Sequence, residues 1–432
     1  MTSNIPADVA PSETPGATQR LPAAFHWLWA AHGVSVFGSL VTRAALPFTA
    51  VLALHASAGQ MAMLGGASLA ASLLVGLWAG AWVDRTARRP LMIGCDLVRA
   101  ALLATIPIAA VTEHLNLTLL IAVMFLTGAF DTLFDLARNA YVPGLVGEHR
   151  LVDANARLSA TSSAAEVSGF GIAGWLVQWL TGPITVALDA ISFVVSALLL
   201  AGIRGAEPRP EHRTHAGSFR GWREEVREGL VATYHDPLQR GLAIGDACLN
   251  FTFGIFTACY ILFVTRDLAL GTGPLGMVFA MGGVSGLVAS SLAPQLGQRL
   301  GVGRAMVLGL AVSTFGLLLA AFAPPHAVAI ALTLLVAQQL VGDGGWALYM
   351  IHSSTLRMAR APEALRGRIG SASNTLSMAT RIGGIAMGGL LGDRLGLRTL
   401  IGAGAFATLV ASVVLFRSAA GRVQNPFAVA AE

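Results

Sequence analysis

Charged residues are scarce in this sequence, and lysine is missing altogether. Charged side chains make up 12% of the 432 residues, about half of the ~25% that is usual in soluble domains. A surface so poor in charge would not keep a chain of this length in solution. Three cysteines without CxxC spacing exclude a disulfide framework and a zinc site. With 55% hydrophobic residues, the composition predicts an all-α, polytopic membrane protein that binds neither nucleic acid nor a metal.

Apolar runs that are long enough to span a membrane occur in two sets of six. Each span needs about 20 apolar residues, so a chain of this length has room for about a dozen. We expect twelve transmembrane helices in two pseudo-symmetric six-helix bundles. The expected divisions are a disordered cytoplasmic tail at 1–22, an N-terminal bundle at 23–203, a cytoplasmic linker with an amphipathic helix at 204–238, a C-terminal bundle at 239–417 and a second cytoplasmic tail at 418–432.

Arginine supplies all 28 basic residues, and its placement predicts the topology. With both termini inside, 22 of these arginines fall on inner segments and three on outer segments. Cytoplasmic loops of membrane proteins carry such an excess of positive charge. Residues 1–22 lack the basic start and the cleavage site of a secretory signal. We therefore expect both termini in the cytoplasm and a multi-pass protein in the bacterial cytoplasmic (inner) membrane.

The second part of the linker has the pattern of an amphipathic helix. Apolar side chains recur at helical spacing at Phe219, Trp222, Val226 and Leu230, with arginine and glutamate between them. Such a helix is typical of segments that lie on a membrane surface. A solvated linker helix is the alternative.

The two halves of the chain resemble an internal repeat. A constant offset of 215 residues places Glu148 on Glu363, and it also aligns glycines of the fifth and eleventh spans. Two bundles related by an axis along the membrane normal would hold a small-molecule site between them, near the middle of the membrane.

The segment GAWVDRTARRPL, residues 80–91, lies between the second and third spans. Its glycine permits close helix approach, and Asp84 can cap the N-terminus of a facing helix near Gly367. The arginines that follow can pair with acidic residues of the fourth span, where Asp135 is the expected partner of Arg88. Such contacts would hold the inner side closed in one of two states; simple positive-inside anchoring is the alternative. We refer to the predicted set as the gating latch: Gly80, Asp84, Arg85, Arg88, Arg89 and Asp135.

The same segment resembles the loop signature of the major facilitator superfamily, with Ala87 in place of the usual second glycine. The run FDLARNAYVPGLVGEHRLVDANARLSA, residues 134–160, occurs together with VTRAALPF in the first span and GGIAMGGLLGDRLGLR in the eleventh. Together these runs resemble the branch of that superfamily that contains the enterobactin exporter and the macrolide efflux permeases.

The resemblance implies a secondary active transporter that works as a monomer, without enzymatic activity or a cofactor. It would export small amphiphilic, drug-like compounds by alternating access, in exchange for protons. A dedicated exporter of a siderophore or another secondary metabolite is the first alternative. A membrane sensor that transports nothing is the second.

Glycines in the fifth and eleventh spans are candidates for close helix packing, because membrane helices use small residues at their contacts. In the fifth span, Phe170 stands where drug antiporters usually carry a proline. The candidate packing positions are Gly169, Gly171, Gly174, Gly384, Gly388 and Gly389.

Ionisable residues inside the spans are candidates for function, because their burial in a membrane is costly. Glu166 is the acidic residue nearest the predicted midplane, about 15 Å into the fifth span at 1.5 Å per residue. It is a candidate for proton coupling or substrate binding, or for a structural pair with Arg381 at the offset position. Arg43 and Asp189 are expected to neutralise each other. The further candidates for proton coupling or for lining a cavity are Asp131, Asp246, Asp343 and Arg381.

Overall fold

The computed structural model describes residues 21–83, 85–204 and 219–425. Asp84 of the gating latch, the first part of the linker and both ends of the chain therefore lie outside the described residues. The described part is all-helical, as the sequence predicts.

Six long helices form the N-terminal group: α1 (Ala23–Leu52), α2 (Ala58–Val83), α3 (Arg88–Val111), α4 (Leu117–Val146), α5 (Leu151–Leu180) and α6 (Gly182–Ala201). Helix α7 (Phe219–His235) follows in the second part of the linker. The C-terminal group comprises α8 (Pro237–Asp267), α9 (Thr272–Leu300), α10 (Val302–Ala321), α11 (Val328–Arg360), α12 (Arg366–Leu395) and α13 (Leu397–Arg417).

Ten of the described helices are long and apolar enough to cross a membrane. Helices α5 and α12 have 30 residues each but are not among the ten. Their first halves are rich in serine, threonine, asparagine and arginine, which lowers their mean hydropathy. The two helices share this feature at equivalent places in the two groups.

Local sequence signals account for several helix ends. Asn116 accepts a hydrogen bond from the backbone N–H of Leu119 at 2.9 Å and caps α4. Asp236 caps α8 in the same way, and Pro237 occupies the first helical position, where no N–H is needed. Gly301 and Gly396 end α9 and α12 with φ angles of 86° and 88°, which favour glycine.

Two helices contain a π-helical turn that the sequence analysis did not predict. One lies at Phe263–Asp267 in α8 and the other at Gln339–Asp343 in α11. Such turns change the direction of the side chains that they carry and are frequent at functional sites. The turn in α11 contains the candidate residue Asp343.

Helices of each group pack mainly on one another, and the groups meet along two seams. We call the end of the molecule with the α2–α3, α4–α5 and α6–α7 connections the linker face, and the other end the distal face. In one seam α5 packs on α9, and in the other α2 packs on α12 and α8. Helix α7 packs on α12 at the linker face, where a Cβ at Gly229 would lie 2.1 Å from the carbonyl oxygen of Arg368. Its placement on a membrane surface stays a prediction.

Glycines bring the helices of both seams into close contact near the distal face. A Cβ at Gly174 of α5 would lie 2.5 Å from the carbonyl oxygen of Thr272 and 2.6 Å from the Cα of Gly276. In the other seam, a Cβ at Gly389 of α12 would lie 2.4 Å from the Cβ of Ala62. The described close contacts between the two groups lie in the helix halves next to the distal face. The molecule is therefore closed at this face.

We expect Gly174→Val to separate the two groups at the distal face, because the added atoms would occupy the positions of Thr272 and Gly276. The separation is measured by double electron–electron resonance between nitroxide labels at Glu113 and His326, which lie in distal loops of different groups, in a cysteine-free background. The expected result is a shift of the distance distribution to longer values.

Gly286→Val on α9 is the matched control, because a Cβ at Gly286 has nothing within 4 Å. This variant should keep the wild-type distribution. An unchanged distribution in Gly174→Val would contradict the assignment of this contact as the distal closure.

Candidate functional site

Two acidic side chains from different groups meet in the gap between the groups. Asp343 lies in the π-helical turn of α11, and a Cβ at Gly282 of α9 would lie 2.4 Å from its Oδ2 atom. Glu166 of α5 is also next to α9. Its neighbour Val167 packs on Gly283 of α9, where an added Cβ would lie 2.7 Å from the Cα atom of Val167. Glu166 is exposed and close enough to act electrostatically on Asp343. The gap thus contains a pair of carboxyl groups at mid-depth, which we call the acid pair.

An aromatic cluster lies on the distal side of the acid pair. The ring of Phe170, one helical turn beyond Glu166, is 5.6 Å from the ring of Phe279. Tyr260 is 5.7 Å from Phe279 and stacks on Phe256 at 4.9 Å. Its hydroxyl donates a hydrogen bond of 2.9 Å to Gln338, next to the π-helical turn. These rings separate the acid pair from the distal face.

Two arginines from different groups also lie close together. Arg381 of α12 stacks on the ring of Phe253 of α8, with 4.3 Å between its Cζ atom and the ring centroid. Arg43 of α1 is near enough to act electrostatically on Arg381. No carboxylate among the described residues lies within 4.0 Å of either guanidinium.

The pairs that the sequence suggested for these arginines are therefore not formed in this structure. Arg381 is not paired with Glu166. Arg43 does not neutralise Asp189, which instead accepts a hydrogen bond of 2.9 Å from Ser192 within α6. The expectation of mutual neutralisation between Arg43 and Asp189 is wrong for this conformation, because hydroxyl groups satisfy the carboxylate.

Ion pairs within the N-terminal group hold α3 against α4. Arg99 of α3 pairs with Asp96 of the same helix and with Asp131 of α4. Its guanidinium lies between the rings of Phe134 and Phe193, at 4.6 and 4.1 Å from the centroids. The side chain of Asp131 is 48% exposed, so it is both paired and accessible from solvent. The sequence analysis missed the role of Asp96, which only its spacing of three residues from Arg99 could have indicated.

A second buried pair joins three helices of the C-terminal group near the linker face. Arg357 of α11 pairs with Asp246 of α8 and donates a hydrogen bond to Ser373 of α12. The hydroxyl of Tyr349 donates a hydrogen bond of 2.8 Å to the other carboxylate oxygen of Asp246. Asp246 therefore acts here as the centre of a packed polar network, which the sequence analysis had considered only as a weak cavity candidate.

The N-terminal group has a related network at the equivalent place. Arg138 of α4 donates a hydrogen bond of 3.1 Å to His32 of α1, and the other ring nitrogen of His32 lies 3.0 Å from Ser162 of α5. His32 and Asp246 are 214 residues apart, one less than the offset of the repeat. Both networks thus join the first, fourth and fifth helices of their group.

The described residues of the gating latch have other partners in this conformation. Arg89 donates hydrogen bonds to the carbonyl oxygens of Leu200 and Ala201 at the end of α6, at 2.9 and 2.5 Å. Asp135, whose side chain is 58% exposed, pairs with Arg138 at 3.1 Å. Arg85 is exposed, and Arg88 begins α3. The pairing of Arg88 with Asp135 stays a prediction for another conformation.

The glycines that were predicted to pack all lie against neighbouring helices. Gly169 faces Leu40 of α1, and Gly171 faces Ala280 of α9 across the seam. Gly384 and Gly388 face α8, while Gly174 and Gly389 form the distal contacts described above.

We expect Asp246→Ala to lower the free energy of unfolding by about 3–5 kcal/mol, because it leaves the buried Arg357 guanidinium without its counter-charge. Unfolding is followed in detergent micelles by titration with sodium dodecyl sulfate. The double variant Asp246→Ala/Arg357→Met should recover most of the loss, because it removes both charges.

Asp135→Ala is the matched control, because the Asp135 carboxylate is 58% exposed to solvent, so that its pair with Arg138 should contribute less than about 1 kcal/mol. Equal losses in Asp246→Ala and Asp135→Ala would contradict the distinction between the two ion pairs.

Comparisons with known proteins agree with this architecture. The model of the Major Facilitator Superfamily matches residues 28–385. The chain is 26% identical over 388 residues to the multidrug efflux pump Tap of Mycolicibacterium fortuitum, covering 87% of this chain and 91% of that protein. It is 28% identical over 184 residues to macrolide efflux protein A of Streptococcus pyogenes, covering 42% and 44%.

Among solved structures, a bacterial homologue of the iron transporter ferroportin shares the fold. Its inward-facing state has a TM-score of 0.74 at 19% identity, with 92% of this chain and 99% of that chain covered. Its outward-facing state has a TM-score of 0.56 at 18% identity, over the same shares of both chains. The resemblance inferred from the loop signature is confirmed, and the chain belongs to the Major Facilitator Superfamily.

Proposed function

We propose that this protein exports small amphiphilic compounds across the cytoplasmic membrane by proton-coupled antiport and alternating access. The observation that carries the proposal is the acid pair, in which each group contributes one carboxyl group to the gap. A carboxyl group can bind and release a proton, and its surroundings change when the two groups move. The similarity to efflux pumps supports the direction of transport.

We infer that α5 and α12 also cross the membrane, which gives twelve spans. Each has 30 residues, about 45 Å at 1.5 Å per residue, and each forms part of a seam between the groups. Their polar halves border the gap rather than lipid, which explains their low mean hydropathy. The excess of arginine at the linker face supports a cytoplasmic location for that face.

On this topology we assign the structure to a state that is closed to the outside, which in an alternating-access cycle is the state that opens to the cytoplasm. Glycine contacts seal the distal face, and the aromatic cluster lies between that seal and the acid pair. The higher TM-score with the inward-facing ferroportin homologue than with the outward-facing one supports the same assignment. A substrate would enter the gap from the cytoplasm in this state, as a monomeric exporter requires.

The energy for uphill export would come from protons that enter the cell. One elementary charge that moves inward through 100 mV releases about 2.3 kcal/mol. One pH unit adds about 1.4 kcal/mol. Together these support a substrate gradient of about several hundredfold per proton when the substrate crosses uncharged, since 1.4 kcal/mol corresponds to tenfold. Binding of the proton at the acid pair would place it at mid-membrane between the two groups.

We expect Glu166→Gln and Asp343→Asn each to abolish accumulation against a gradient, because neither amide can carry the proton. Downhill exchange of substrate should persist, since the gap is otherwise unchanged. The measurement uses everted membrane vesicles with ethidium as the substrate and acridine orange as the reporter of proton release.

Asp153→Asn is the matched control, because Asp153 is an exposed acid on the first turn of the same helix as Glu166. It should retain uncoupler-sensitive uptake at the wild-type rate. Uphill transport at the wild-type rate in Glu166→Gln would show that this residue is structural and would overturn its role in coupling.

The gating latch would act in the opposite, outward-open state. Closure of the linker face would bring the α2–α3 connection towards the N-terminus of α12 and the C-terminal end of α4. Asp84 could then cap the N-terminus of α12. Asp135 would then exchange its partner Arg138 for Arg88. In the present state Asp135 is largely exposed, so its carboxylate is accessible for that exchange.

We expect Asp84→Asn to reduce transport strongly while membrane insertion stays normal, because the closed linker face loses its capping charge. Ethidium transport in vesicles and the amount of protein in the membrane are measured together. Glu363→Gln removes an exposed acid at the same face and should leave transport unchanged. Normal transport by Asp84→Asn would contradict the latch.

A further inference from the structure

Arg43 and Arg381, the two arginines in the gap, have no carboxylate partner among the described residues, unlike the arginines of the buried ion pairs. Arg99 and Arg357 each contact a carboxylate within their own group. Among the described residues no carboxylate contacts Arg43 or Arg381, and the two guanidiniums are near enough to repel each other electrostatically. The Nε atom of Arg381 is buried and has no hydrogen-bond partner among the described residues. Burial of such a charge is costly unless an anion compensates it.

The two arginines lie at similar depths and act on each other electrostatically from different groups, which assigns them to the gap between the groups. Arg43 lies nine residues before the distal end of α1, and Arg381 lies 14 residues before the distal end of α12. These distances correspond to about 13 and 21 Å at 1.5 Å per residue. The α2–α12 contacts, such as Gly66 with Ile385, lie on the distal side of Arg381. Arg43 is exposed, and the ring of Phe253 that supports Arg381 is 46% exposed.

Backbone contacts fix the position of Arg381. A Cβ at Gly254 of α8 would lie 2.2 Å from the carbonyl oxygen of Arg381, and a Cβ at Gly384 would lie 1.9 Å from the carbonyl oxygen of Phe251. The α12 backbone is therefore pressed against α8 at Arg381 and at Gly384, three residues further along. The Cζ atom of Arg381 lies 4.3 Å from the centroid of the Phe253 ring, and the guanidinium N–H groups that remain can donate to an anion.

We propose that Arg43 and Arg381 form an anion-binding subsite that takes the carboxylate, sulfonate or phosphate group of a transported amphiphile. This inference rests on the proposed export function and specifies the class of substrate. Arginine suits these oxyanions because its planar fork of donors matches their geometry. One anionic group between two guanidiniums would replace their repulsion by two attractions.

The subsite also joins the two groups. Arg43 belongs to the N-terminal group and Arg381 to the C-terminal group, so a bound anion would bridge them in the state that is closed at the distal face. The ligand would then stabilise the conformation in which it binds from the cytoplasm. The acid pair occupies the other seam, between α5, α9 and α11. A substrate with a cationic and an anionic group could therefore contact both subsites.

Two dyes that differ by one methyl ester test the subsite on purified protein in detergent. Rhodamine 110 has a free carboxylate, whereas rhodamine 123 is its methyl ester and shares the same cationic ring system. Fluorescence anisotropy measures both dissociation constants. We expect wild-type protein to bind rhodamine 110 about tenfold more tightly, which corresponds to about 1.4 kcal/mol. Arg43→Gln and Arg381→Gln should each abolish this preference and leave rhodamine 123 binding unchanged.

Arg299→Gln is the matched control, because it removes an exposed arginine of α9 outside the gap. It should keep the tenfold preference, and retained rhodamine 123 binding shows that each variant is folded. The inference is overturned if wild-type protein does not prefer rhodamine 110, or if Arg43→Gln and Arg381→Gln keep the preference.

A free inorganic anion could occupy the same arginines, and sodium sulfate distinguishes this case. One outcome would assign the site to a free anion: sulfate raises the Tm of the wild type but not of Arg381→Gln, and wild-type protein does not bind rhodamine 110 more tightly than rhodamine 123. In that case the substrate assignment is overturned. Efflux of both dyes is followed separately in vesicles. Absence of efflux with intact binding would contradict the proposed export function and not the subsite.

Discussion

A charged side chain inside a bilayer requires an opposite charge or water, because the hydrocarbon around it provides neither. The described helices meet this requirement in two ways. Arg99 and Arg357 are paired inside one group each, where aromatic rings and hydroxyl groups complete their surroundings. Such pairs move with their group and keep their partners in any conformation. Asp189 is an exception, since a hydroxyl group of its own helix donates to it, whereas Glu166, Asp343, Arg43 and Arg381 belong to the gap.

Charges that are paired inside one group would keep each group rigid, whereas the charges in the gap could change partners when the groups move. The networks around His32 and Asp246 each join the first, fourth and fifth helices of a group, so each group would move as a unit in the proposed transport cycle. Between the units, the seams combine glycine contacts with side-chain contacts such as that of Phe170 with Phe279. Separation of such a seam exposes apolar surface, so the opposite state must provide contacts of its own that compensate the cost. A gap charge changes its neighbours in that movement, whereas an internal pair does not.

The sequence predicted what depends on composition and periodicity. The helical class, the six apolar runs in each half and the glycine positions all follow from local patterns, and the superfamily follows from the loop motif. Ion pairs between helices were harder to predict, because a sequence indicates how deep a residue lies in the membrane but not which neighbouring helix its side chain faces. The repeat offset offered Arg381 as an alternative partner of Glu166, although Arg381 lies over the ring of Phe253. The π-helical turn that carries Asp343 has no visible signal in α11, because Val328–Gln338 before it is apolar at almost every position and marks no face whose rotation could be seen.

The charges of the gap are also separated by sign, and this separation follows from the two seams. The acid pair lies where α5 and α11 approach α9, and the guanidinium pair lies where α12 approaches α8 and α1. The opposite signs on the two sides produce an electric field across the gap, which water in the open gap weakens. A substrate with a dipole would be oriented by that field before any specific contact forms. Protonation of the acid pair would weaken the field at one side only, so a proton could release the cationic end of a substrate while the arginines still hold the other end. Coupling between proton and substrate would then require no direct contact between them.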